Sequence, residues 1–161
     1  MLKRNSESGR SMVEMIGVLA IAGLLTAAAF ILIRAGTNSQ NISRTRDEID
    51  VLAANTRALV AEGNNTCSLP KDFNWQTDGK TLAMALLKSD GTTAFGSGTY
   101  YSVTRSTDKT CNGDTTFRIH LMLSHDVCKT MGTLTYAGNG QAVCDTTDAS
   151  KTGELKITYQ K

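Results

Sequence analysis

Proline is nearly absent from this chain of 161 residues, where Pro70 stands alone, so the long N-terminal pattern described below meets no proline stop. Histidine is almost as scarce. His120 and His125 are the only two, and neither has the spacing of a metal pair or a catalytic couple. Serine and threonine are plentiful, yet no GxSxG or related nucleophile motif is present. The four cysteines contain no CxxC pair, which argues against a zinc site. Charge of one sign is missing too: the net charge is only +2 and the seventeen basic residues are scattered. That leaves no nucleic-acid footprint and no basic patch interleaved with aromatics, so DNA uptake is disfavoured. Neither an internal repeat nor a low-complexity tract appears. The absences exclude no fold, but they point away from an enzyme, a bound metal or cofactor, and a nucleic-acid partner.

What is present begins with Glu14. From Met15 to Ile33 the chain runs for nineteen residues without a formal charge, close to the ~20 that span a bilayer as a helix. A carboxylate at the edge of such a run costs on the order of a few kcal/mol, so its presence marks a functional position. Lys3, Arg4 and Arg10 precede the run, whereas Arg34 is the one basic residue in its immediate C-terminal flank. That asymmetry keeps the N-terminus cytoplasmic and sends the remainder outward. The run is longer than the ~7–15 apolar residues of a secretory signal, and no small-residue cleavage site clearly closes it. A plain signal anchor accounts for the length but not for Glu14.

The residues around Glu14 carry a resemblance. Ser8-Gly9-Arg10-Ser11-Met12-Val13-Glu14, with a short basic leader before it and the apolar run after it, resembles the prepilin signal of type IV pilins and pseudopilins. The match covers roughly residues 1–33. It implies cleavage between Gly9 and Arg10 by a prepilin peptidase, with Gly9 sparing the protease a bulky side chain at the scissile bond. It also implies that Glu14 neutralises the new α-amine of a neighbouring subunit and so sets axial register. Further implied partners are identical subunits, an assembly ATPase and an inner-membrane platform protein. Two departures stand out. Arg10 occupies the first mature position, where the family usually has phenylalanine, methionine or leucine, which bears on N-methylation; and Ile31 stands where a proline is frequent. Gly17, Gly23, Ala20, Ala22 and Ala27 to Ala29 make the span rich in small residues, suited to close helix packing or, at Gly23, to local unwinding on assembly. A shorter resemblance to type IVb pilins lies in Leu121-Met122-Leu123-Ser124 followed by Cys128-Lys129-Thr130-Met131, and in Arg34-Ala35 and Ser39-Gln40-Asn41.

Beyond the span, Ile42, Ile49, Leu52, Ala53, Leu59 and Val60 recur at helical spacing up to Glu62, while Arg44, Arg46, Asp47, Glu48, Asp50 and Arg57 fill the other positions. The spacing predicts an amphipathic helix with a solvated charged face, loosened at Gly36 and Asn38 and ended by Gly63-Asn64-Asn65. A short helix over Leu82 to Lys88, capped by Thr81, is expected next, then a turn at Asp90-Gly91. Strands are expected over Tyr100 to Thr104, Thr116 to Leu123, Leu134 to Ala137, Gln141 to Cys144 and Leu155 to Tyr159, with a helical stretch over Ser124 to Met131. Gly138-Asn139-Gly140 reads as a hairpin turn. All four cysteines, Cys67, Cys111, Cys128 and Cys144, lie beyond the span, which suits two disulfides outside the cell. Of three connectivities, Cys128–Cys144 and Cys67–Cys111 are favoured.

The expected fold is α+β: a long N-terminal helix, half membrane-embedded and half amphipathic, packed on a small antiparallel-sheet head with two disulfides. The expected segments are a cleaved leader over 1–9, a transmembrane or filament-core helix over 10–35, the amphipathic half over 36–62 and the head over 63–161. His120 should face solvent. Asp145, Asp148 and Glu154 read as a solvated turn rather than a calcium site, and Trp75, Tyr100 and Tyr101 as packing rather than a ligand patch. The functional expectation is a homopolymeric pilus subunit, held in the inner membrane as a precursor and then displayed on the surface for adhesion. A minor pilin or a type II secretion pseudopilin is the alternative. A signal-anchored extracytoplasmic binding domain that never polymerises is the alternative from another class.

Overall fold

A computed structural model describes residues 8–63, 66–71, 78–96, 98–105, 116–146 and 152–160; for 8–11, 63, 78 and 79 it describes the backbone alone. The chain divides into two compact units, residues 1–40 and 41–161, which are taken separately.

Helix α1 (Ser8–Gly63) is unbroken over 56 residues. It passes Gly36 and Asn38, where loosening was expected, without interruption. A glycine inside a helix costs only roughly 1 kcal/mol relative to alanine, too little to break a helix that continues on both sides. In the first unit every described side chain from Met12 to Gln40 is exposed. The side-chain hydrogen bonds described there are local: Thr26 donates back to the carbonyls of Ala22 and Gly23, and Thr37 to that of Arg34.

The second unit is α+β. A four-stranded sheet runs in the order β1-β2-β4-β3, with β1 (Tyr101–Arg105), β2 (Phe117–Ser124), β3 (Gln141–Asp145) and β4 (Thr152–Tyr159). Every pair is antiparallel, in register at Val103↔Ile119, Ile119↔Ile157 and Ala142↔Ile157. Alternation sends Tyr101, Val103, Phe117, Ile119, Leu121, Leu155, Ile157 and Tyr159 to one face, all of them fully buried. Ile49, Leu52, Ala53 and Val60 from the C-terminal part of α1 belong to the same core. The rings of Phe117 and Tyr159 stack there with centroids 5.2 Å apart. The amphipathic spacing in the sequence therefore reports a real packing face.

The other positions of that helix are not simply solvated. Glu48 accepts a 2.6 Å hydrogen bond from the Tyr101 hydroxyl, Asp50 accepts the backbone N–H of Ala137, and Arg57 donates to the carbonyl of Gly138. Arg57 also lies 5.1 Å from the Tyr159 ring centroid. These half-buried charges tie the head to its helix, whereas Arg44 and Asp47 stay exposed.

Two expectations about elements need correction. Helix α2 (Asp78–Leu87) starts before Thr81, which is therefore an interior residue and not a cap. A glycine is tolerable in a first turn, and the early start brings the Lys80 ammonium within 3.5 Å of the Tyr100 ring centroid. Leu134 to Ala137 is not a strand: only an isolated Tyr136↔Gly140 bridge forms. The Gly138-Asn139 turn is present, with φ of 70° and 60°, the left-handed pair that a tight hairpin needs. Its first arm is drawn elsewhere, because the Ala137 N–H bonds Asp50 and the buried Tyr136 hydroxyl donates to the Met131 carbonyl. Helix α3 (His125–Gly132) follows Ser124, whose extended backbone occupies the N-cap position.

Cys128 in α3 and Cys144 in β3 form a disulfide, as favoured from the spacing, with Cα atoms 5.6 Å apart. It is the one bridge with both ends among the described residues. Cys67 is also disulfide-bonded, and its expected partner Cys111 lies outside the described residues, as do Trp75 and Asp148.

Candidate assembly segment and head network

The apolar segment owes its form to composition. Leucine, alanine and methionine favour helix, and from Met12 to Ile33 only the Thr26 hydroxyl bonds back to the backbone, at the carbonyls of Ala22 and Gly23. Within α1 an 18-residue window reaches a mean hydropathy of 2.7, and none of that window is buried in the structure. By length and composition this helix is able to cross a membrane. Exposure runs all the way round it: Met12, Val13, Ile16, Leu24, Phe30 and Leu32 are each at least 61% exposed. A helix apolar on every side is suited to lipid or to a bundle of like helices, not to water.

Glu14 is exposed at the N-terminal edge of this surface, with no hydrogen bond or ion pair among the described residues. Twenty residues of helix separate it from Arg34, about 30 Å at 1.5 Å per residue, which is the thickness of a bilayer's hydrocarbon core. Gly9 and Arg10 fall in the first turn of α1 as it stands. Around Gly17 and Gly23 a side chain would meet no neighbour, so both present bare backbone.

The head holds a polar network that sequence reasoning placed in water. His120 points away from the apolar core, as its alternation with Ile119 and Leu121 requires, yet it is only 4% exposed. Its Nδ1 lies 2.8 Å from Glu154 Oε1 and its Nε2 lies 2.9 Å from Thr104 Oγ1. With the proton on Nδ1, the ring donates to the carboxylate and accepts from the threonine hydroxyl, which joins β1, β2 and β4. Burial works to raise the Glu154 pKa, but hydrogen bonds from His120 and Lys156 outweigh it and hold the carboxyl below its ordinary value. Lys156 loses some hydration, which lowers its pKa, but its bonds to Asp145 at 3.0 Å and Glu154 at 3.1 Å dominate and raise it.

Asp145 and Glu154 are therefore strand residues clamped on one ammonium, not a solvated turn. No group of three or more ligating side chains forms among the described residues. The imidazole and the Thr104 hydroxyl are too buried to meet a substrate, so this arrangement serves to hold strands together. The signal that would have placed His120 is β1 itself: Tyr101 to Thr104 are all buried, so both faces of the sheet are covered there. Tyr101 belongs to the core, and burial with the Glu48 contact raises its pKa well beyond the ordinary phenol range. Tyr100 is half-buried beneath Lys80, and His125 opens α3.

No protein-family model, no curated protein and no solved structure matches this chain.

Proposed function

We propose that this chain is the structural subunit of a type IV pilus-like filament. The carrying observation is a helix apolar on every side, fronted by one carboxylate, with nothing in the described chain to bury it. Leaving that much apolar surface in water is unfavourable by roughly 25 cal/mol per Å². Lipid supplies the cover before assembly and other copies of the same helix supply it afterwards. On this reading prepilin peptidase cuts between Gly9 and Arg10, and Glu14 meets the freed amine of a neighbour in the filament core. An assembly ATPase and an inner-membrane platform drive the transfer. The chain starts as a single-pass inner-membrane protein with a cytoplasmic N-terminus and ends on the surface, where the head makes adhesive contacts. A second bridge, Cys67–Cys111, completes the head.

The test is Glu14→Ala in the source cell. Membrane insertion and processing persist, while the yield of filaments sheared from the surface falls at least about tenfold, as expected when a buried cation loses its partner. Wild-type yield from this variant contradicts the reading and favours a signal-anchored domain that does not polymerise. Abundance in the sheared fraction of wild-type cells separates a main subunit from a minor pilin or a type II secretion pseudopilin.

A further inference from the structure

The two edges of the sheet are finished differently. At the β1 edge the chain covers itself: Tyr101 donates its N–H to the Gly91 carbonyl, and Arg105 donates to that of Pro70. At the other edge β3 pairs with β4 alone, and no described residue hydrogen-bonds its outer side. Of the devices that normally blunt an open edge, β3 (Gln141-Ala142-Val143-Cys144-Asp145) has only its shortness and the charge of Asp145, with no proline, lysine or bulge. Its most exposed apolar side chain, Val143, is 61% exposed. The hairpin arm that a longer strand would have used diverges after Tyr136↔Gly140. It leaves a groove of about 1020 Å³ between Leu134 and Thr135 on one side and Gly140 to Ala142 on the other.

We propose that the outer edge of β3 pairs antiparallel with β3 of a second copy, joining two heads through one continuous sheet. The strand is complementary to itself. A twofold axis at Val143 is the register that pairs all five residues. It sets Val143 against its counterpart and Gln141 against Asp145 of the second copy at both ends. Each pair of opposed residues shares a face, so the two valines meet while each Gln141 amide donates to the facing carboxylate. No like charges oppose one another. Asp145 remains anchored by Lys156 from its own β4, so it receives the amide without moving. On the inner side Ala142 meets Cys144. Such an isologous contact is closed and forms pairs, not chains. Five-residue strands bury little area, which puts the pairing in the weak class that forms at high local concentration. It does not depend on the apolar helix; because a twofold contact cannot repeat between successive subunits of a head-to-tail polymer, on the filament reading it joins heads of neighbouring filaments.

The test is self-association of the full-length protein in detergent micelles, read by energy transfer between two labelled preparations. Val143→Lys removes the apolar pair and opposes two like charges, and should weaken association about tenfold. Gln141→Lys places an ammonium opposite Asp145 at both ends, and should tighten it about threefold. A variant that merely unfolds cannot produce the second result. Association unchanged in both variants assigns the contact to the helix and overturns the proposal. So does a full-length chain that shows no transfer at any concentration, the outcome expected if this edge serves a different protein. Glu14→Ala leaves the edge signal intact, so failure of the filament reading and failure of this one are separable.

Discussion

The apolar segment up to Gln40 and the head beyond it share one helix and differ in everything that holds a structure in place. In the first, every described side chain from Met12 onward is exposed and side-chain hydrogen bonds reach only three or four residues back. In the second, the same helix contributes Ile49, Leu52, Ala53 and Val60 to a closed core, and its charges bond to segments distant in sequence. What differs is the company the helix keeps. The head closes a core of its own; the segment before it is suited to surroundings that the described residues do not supply.

The sharpest way to break that comparison is to truncate matching apolar residues on each side. Phe117→Ala removes a fully buried ring stacked on Tyr159, and should cost the head about 3–5 kcal/mol in denaturant unfolding. Leu24→Ala removes a 73% exposed side chain, and should shift the same transition by less than about 0.5 kcal/mol. Comparable losses at both sites would mean that the segment is part of the head's cooperative unit.

Next comes the covalent tie. Replacing Cys128 and Cys144 by serine reopens a loop with a sequence separation of 16. It should lower head stability by about 3 kcal/mol, while leaving the helicity of the apolar segment unchanged by circular dichroism.

The smallest effect is electrostatic. Glu154 has a lowered pKa in the folded head, so its contribution is present above its ordinary value of 4.5 and is lost as pH falls through the folded value. Lys156 has a raised pKa, so its contribution is present below its ordinary value of 10.5 and is lost as pH rises through the folded one. Unfolding midpoints measured across pH should fall on the acid side in the wild type and less steeply in Glu154→Gln. The neutral amide can still accept from His120 but cannot be protonated in this range. An identical acid slope in the two proteins removes Glu154 from the account.

Much of this architecture was legible because it follows periodicity. Helical spacing from Ile42 to Val60, alternation in Phe117 to Leu123 and the Gly138-Asn139 turn each act locally. The Cys128–Cys144 bridge was legible too, since it closes a short loop. The unreadable parts depend on what lies opposite. Alternation correctly turned His120 away from the core, but only the neighbouring strand, with Ser102 and Thr104 buried beside it, makes that second face dry. Glu48, Asp50 and Arg57 looked like a solvated face because their partners, Tyr101, Ala137 and Gly138, lie roughly 50 to 90 residues away. Leu134 to Ala137 has strand composition yet gives its hydrogen-bonding groups to α1 and α3. For the apolar segment the sequence supplies the helix, the carboxylate and the small residues.

The measurement that bears most directly on the filament account is the intact and N-terminal mass of this protein sheared from the surface of its source cell. A mature chain beginning at Arg10, with or without one added methyl group, is the predicted result. A membrane-bound chain still beginning at Met1, with none in the sheared fraction, would contradict it and leave Glu14 without the partner proposed for it.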